Sequence, residues 1–283
     1  MLLAGSVLHG ATAKRELLDW AEAQPWRMDR AADPARIPTG KGVEFSRPDG
    51  EPAWIQLTTR VDVSCGEDTS AYLYQWSGDH WARRFTFEPG SPVDSLRIAA
   101  SNTLVLATGW QPACTSVWHP FFVGLYQIGA GQKTVLEGTE NGNPDGDTVA
   151  RLEPNGMHVE FTGQSIDPVL ALRRHVLHYV IEASGAHRTD PLALSAQDFV
   201  DEWISSSWTD AAAWSDAALA AVHDQLPKRG QMGAVSRCAD YKSVWQVAVA
   251  LGGSWRYFRV SEQGDHHYRM AAVSEKPCKA AKR

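Results

Sequence analysis

The hydrophobic pattern changes period along the chain. From Val43 to about residue 194, β-branched and aromatic residues alternate with polar ones in short runs, punctuated by Gly, Pro, Asn and Asp. That pattern predicts strand after strand. Over 195–226, SAQDFVDEWISSSWTDAAAWSDAALAAVHDQL, the period becomes helical. Ser195 followed by Asp198 reads as a capped start, because hydroxyl and carboxylate satisfy orphan amides of the first turn. Phe199, Val200, Trp203 and Ile204 then make one apolar face. Ser205–Ser207 predict a break, and a second helix from near Ser215 is expected to bury Leu219, Val222 and Leu226 before Pro227 stops it. Trp203, Trp208 and Trp214 fall in this stretch, and tryptophans on such a helix are expected in the core.

The flanks are read the same way. Lys14–Gln24 predicts a short helix with Leu17, Trp20, Ala21 and Gln24 on one side and Pro25 ending it. Residues 27–42 read as loop. After the helices, 243–251, 254–261 and 266–274 predict three antiparallel strands, with Gly252-Gly253 as a two-residue hairpin turn.

A weak repeat runs through the strand-rich region. Leu73-Tyr74-Gln75-Trp76 reappears 52 residues on as Leu125-Tyr126-Gln127-Ile128. The stretch 96–109 aligns with 150–163, matching Arg97 to Arg151 and Gly109 to Gly163, and a third partial copy starts at His178-Tyr179-Val180. Each copy reads as four strands, the size of a propeller blade or a stacked meander. The expected fold is therefore α+β and mostly antiparallel β: repeated four-strand meanders, a helix pair, and a C-terminal three- or four-stranded meander. The expected organisation is an N-terminal arm and short helix (1–42), a β-rich repeat region (43–194) and a helix-plus-meander unit (195–283). Two arrangements of the last unit stay open: helices covering their own sheet, or a sheet that closes an irregular propeller-like ring. Helices followed by a meander is an order similar to that of cystatin-like and nuclear-transport-factor-like domains, a likeness of topology over less than a third of the chain, with no motif behind it.

Composition narrows the classes. With 43% hydrophobic and 21% charged residues, the chain is of ordinary globular composition. A net charge of -6 argues against nucleic-acid binding, which favours a basic stripe, and no apolar run is long enough to span a membrane. Four cysteines without a C-x-x-C pair suit two disulfides better than a zinc site. The opening MLLAGSVLHGATA resembles the latter part of a secretory signal without its basic region, or else an arm leading into the first helix. The expected compartment is periplasmic or secreted.

The repeat also makes a functional prediction. If the copies are equivalent, segments 60–72, 110–122 and 164–176 gather at one end of the sheets. They carry Asp62, Cys65, Glu67 and Asp68; Trp110, Cys114, Trp118 and His119; and Asp167, Arg173, Arg174 and His175. Loops on a rigid β scaffold commonly hold binding groups. A ligand surface formed by Asp62, Glu67, Asp68, Trp110, Trp118, His119, Asp167 and Arg173 is expected, for a small polar ligand, a glycan or a protein. A secreted carbohydrate or peptide hydrolase using Asp/Glu and His from the same loops is the competing reading. The same equivalence pairs Cys65 with Cys114 and leaves Cys238 with Cys278.

The remaining motifs are weaker. Asn141, Asn143, Asp145 and Asp147 resemble a calcium loop, but with Asn in first place and Glu153 one position late. Gly129–Thr134 is not a phosphate loop, because Gln132 interrupts it. His175 and His178, three apart on a strand, point to opposite faces, and His266-His267 split likewise, so neither pair binds one metal and none is expected. Asp198, Asp201 and Glu202 read as favourable charge at a helix start.

Overall fold

The computed structural model describes residues 2–49, 53–169, 172–239, 241 and 243–279, with the backbone alone for residues 2–9. The chain divides into two compact units, 1–144 with 150–157 and 183–186, and 145–149 with 158–182 and 187–283. It is mostly antiparallel β, built from consecutive strands in meanders, as the alternation predicts.

In the first unit, helix α1 (Leu2–Glu22) precedes strands β1 (Val43–Ser46), β2 (Trp54–Val63), β3 (Gly66–Trp76) and β4 (Trp81–Phe87), which form one four-stranded meander in sequence order. Strands β5 (Asp94–Ala100), β6 (Leu104–Trp110), β7 (His119–Ile128) and β8 (Gln132–Gly142) form a second run in sequence order. The first sheet is buried on both faces. Ile55, Leu57, Tyr72 and Tyr74 pack with Leu18 and Ala21 of α1, while Trp54, Ala71, Leu73 and Phe85 share a core with Ile98, Val105, Phe122 and Tyr126 of the second run. The first two meanders are thus stacked layers, which explains why β2 is buried continuously over 54–59 and β3 over 69–74.

Helix α1 is longer than the 14–24 expected, and its packed face is rotated. Lys14, Leu18 and Ala21 are buried, whereas Trp20 is 41% exposed with its ring beside Gly40. Spacings of four and three put those three residues on one line toward the sheet.

Strands β9 (Val149–Glu153), β10 (Gly156–Gln164), β11 (Leu172–Glu182) and β12 (Gly185–Arg188) follow, with β10 and β11 neighbours in one sheet. In the second unit, helix α2 (Ala196–Ser205) packs on a closing meander of β13 (Gly230–Arg237), β14 (Val244–Leu251), β15 (Ser254–Glu262) and β16 (Tyr268–Ser274). Phe199, Val200, Trp203 and Ile204 meet Val247, Val249, Phe258, Val260 and Met270 in its core. Ser195 caps α2 by accepting from the Asp198 amide, as expected. Gly252 and Gly253 turn the β14–β15 hairpin at φ of 57° and 83°, conformations that favour glycine.

The expected second helix from near Ser215 is present in short form, a 3-10 turn at 217–219 capped by Asp216 running into α4 (Ala220–His223), and α3 (Trp208–Ala211) with a 3-10 turn at 212–214 precedes it. Ser215 separates the two. Its backbone is extended and bridges Met270, while its hydroxyl accepts the Trp203 indole N–H at 2.6 Å. Leu219 is buried as expected, but Val222 is only partly so and His223 takes the buried position.

Candidate functional site

Two polar assemblies stand out, each within one unit. The first is an open groove of about 680 Å³ where α1, the 39–44 turn and the ends of β2 and β3 meet. Its lining includes Glu16, Lys41, Glu44, Arg60, Asp62 and Glu67. Gly42 sets its floor. At φ +80° its backbone lies so close to β2 that a Cβ would fall 2.6 Å from the Arg60 carbonyl, and the Arg60 amide donates to the Gly42 carbonyl at 2.8 Å. Asp62 and Glu67 are direct cross-strand partners, so two carboxylates sit side by side. Arg60 offsets this by pairing with Glu44 and, at 3.5 Å, with Glu67.

The disulfide Cys65–Cys114 pins the β2–β3 turn beside this groove to the segment after β6, and Cys238–Cys278 ties the chain after β16 to the end of β13. Segments 60–72 and 110–122 are therefore brought together; segment 164–176 belongs to the other unit. Of the residues expected in a ligand surface, Asp62 and Glu67 line the groove. Asp68 lies under α1, 2.8 Å from the buried Lys14 ammonium. Trp110 is buried against Phe121, Trp118 is half-buried, and the His119 ring donates from Nδ1 to the Gln111 carbonyl at 3.1 Å.

Asp167 and Arg173 are buried in the second unit and engaged by the protein. Asp167 accepts the amides of Val169 at 2.7 Å and Met232 at 2.6 Å, joining the segment after β10 to β13. Arg173 is the centre of the second assembly. It lies 2.9 Å from Asp201, pairs with Glu202, and donates from Nε to His175 Nε2 at 2.8 Å. Its contact with Asp201 lacks hydrogen-bond alignment and is chiefly electrostatic. Arg188 pairs with the other oxygen of Glu202, and Asp201 also accepts from the Ser165 hydroxyl and, at 3.1 Å, from the Ile166 amide. The His175 ring stacks on Phe161 at 4.9 Å and lies over Gly163, where a Cβ would come within 1.9 Å of it.

The two carboxyls of this network shift in opposite directions although burial acts the same way on both. Burial pushes Asp201 up, and Arg173 and Ser165 only partly offset it. Burial acts on Glu202 too, but Arg173 and Arg188 outweigh it and hold the carboxyl at about 2. Asp201 and Glu202 are therefore more than favourable charge near a helix start. Every residue of α2 from Phe199 to Ile204 is buried, so its acids need cations from β11 and β12. The signal for this in the sequence is two acids set between apolar residues of one short helix. The charge-balanced network has no opening to a groove among those described, which marks it as a fold-holding element.

Of the calcium-loop residues, Asn141 is taken into β8 opposite Pro120, and the Asp147 carbonyl accepts from Arg174. Among the described residues no helix is long and apolar enough to cross a membrane. Compared with known protein families the chain matches none, and a comparison with curated proteins likewise finds no match.

Proposed function

We propose that this is an extracytoplasmic binding protein whose ligand surface is the groove formed by α1, the 39–44 turn and the β2–β3 end. The observation that carries the reading is the groove itself: open, about 680 Å³, and lined by Arg60, Asp62 and Glu67 with Lys41 and Glu16. Carboxylates outnumber cations on its walls, and Arg60 is already engaged by Glu44 and Glu67. The complementary ligand is polar and bears hydroxyl or amine donors, such as a glycan or a basic peptide. Binding is favoured over hydrolysis because the groove is open rather than enclosed. The described carboxyl pushed above its ordinary range is Asp201, sealed in the other unit. Two disulfides support an oxidising compartment.

Arrays of oligosaccharides and of basic peptides, probed with the purified protein, test this. A ligand from either array should bind the wild type and lose at least tenfold in affinity to Asp62→Asn/Glu67→Gln, with folding unchanged. Equal binding by the double variant would overturn the assignment of the groove.

A further inference from the structure

We infer that His158 and His178 form a binding site for a borderline divalent cation, with zinc the principal candidate. The two residues are twenty apart in sequence but on neighbouring strands, β10 and β11, of one sheet. Their ring centroids lie 5.6 Å apart, and a ligand nitrogen of one ring is within 4.8 Å of a ligand nitrogen of the other. Two nitrogens bound to one zinc ion at about 2.0–2.1 Å each stand roughly 3.4 Å apart, so small side-chain rotations close the pair on a metal.

The second observation is how each ring is held. His158 Nε2 lies 2.8 Å from Glu160 Oε1, and His178 Nδ1 donates to the Asp190 carbonyl. A carboxylate on one histidine and a backbone carbonyl on the other are the outer contacts that orient metal-binding imidazoles and fix which nitrogen faces the ion. Glu160 is itself anchored by Arg174, at 3.1 Å from both Nε and Nη2. His158 is buried, so its ring cannot swing into solvent. Imidazole nitrogens at this spacing suit zinc, copper or nickel rather than calcium, which prefers oxygen. Two protein ligands leave the remaining positions to water or a further donor, an open rather than closed coordination shell.

The site is separate from the groove and independent of its proposed role. Zinc titration of the metal-stripped protein by calorimetry tests it, with circular dichroism reporting the fold. One zinc per chain should bind, and His178→Asn should weaken it at least fiftyfold. Glu160→Gln should weaken it about tenfold or more through the orientation of His158. The double variant His266→Ala/His267→Ala should bind as the wild type does. Because His158 is buried and its replacement could disturb folding, His178→Asn and Glu160→Gln carry the test. No zinc binding by the wild type, undiminished binding by a folded His178→Asn, or loss confined to the 266/267 variant would each overturn the assignment.

Discussion

Replacing Glu202 by Gln removes one negative charge from the buried network, leaving Arg173 with Asp201 and taking from Arg188 the carboxylate it pairs with. Two routes give its magnitude. The depression of the Glu202 carboxyl from 4.5 to about 2 corresponds to on the order of 3 kcal/mol at neutral pH. Breaking a buried ion pair from one side typically costs about 3–5 kcal/mol, because a desolvated charge loses its partner. The two agree. The pH dependence has a definite sign: a depressed carboxyl contributes stability above its unfolded value of 4.5 and loses it as pH falls toward 2. Urea unfolding of wild type and Glu202→Gln, followed by tryptophan fluorescence at pH 7 and at pH 3, should therefore differ by about 3 kcal/mol at pH 7 and by less than half of that at pH 3. Asp201→Asn serves as the contrast. Its carboxyl is held above the ordinary range, so its ionised form works against the fold at neutral pH. An amide oxygen can still accept from Ser165 and Ile166, and the expected cost at pH 7 is smaller than that of Glu202→Gln. A Glu202→Gln cost below about 1 kcal/mol at pH 7, or the same cost at both pH values, would refute the reasoning.

Two further perturbations probe packing. Trp203→Ala removes a fully buried indole and its donor to Ser215, and should cost about 3–5 kcal/mol in urea unfolding; a cost under about 1 kcal/mol would place this side chain outside the core. Gly163→Ala drives a methyl into the His175 ring, so the ring must leave Phe161; a loss of about 1–3 kcal/mol is expected, read as a lower melting temperature, and His175→Ala should relieve part of it.

Much of the architecture was legible from local chemistry. Period-two alternation with Gly, Pro and Asn punctuation marks strands because each face of a sheet meets one environment, and Gly252-Gly253 marks a hairpin because its turn needs positive φ. Ser195 marks the start of α2 because an orphan amide needs an acceptor. The repeat even carried the pairing of Cys65 with Cys114, since corresponding turns of adjacent meanders bring the two thiols together. Around Ser215 long-range contacts shorten the helical runs: its bridge to Met270 and its bond to Trp203 hold it extended between them despite the good helix formers on either side.

The side-chain constellations were settled by strand neighbours. Asp62 and Glu67 become groove carboxylates because β2 and β3 are in register there; Asp167 and Arg173, equally polar in sequence, turn inward to hold an amide and two acids. His158 and His178 carry no spacing motif, and only the adjacency of β10 and β11 puts their rings 5.6 Å apart. Sequence by itself determined most of the elements and their order, because those follow from local periodicity, caps and turns, and the repeat pointed to the disulfide pairing. The tertiary structure decided which charges are buried, which line a surface and which histidines meet, because those depend on strand adjacency and helix packing, and neither leaves a periodic mark along the chain.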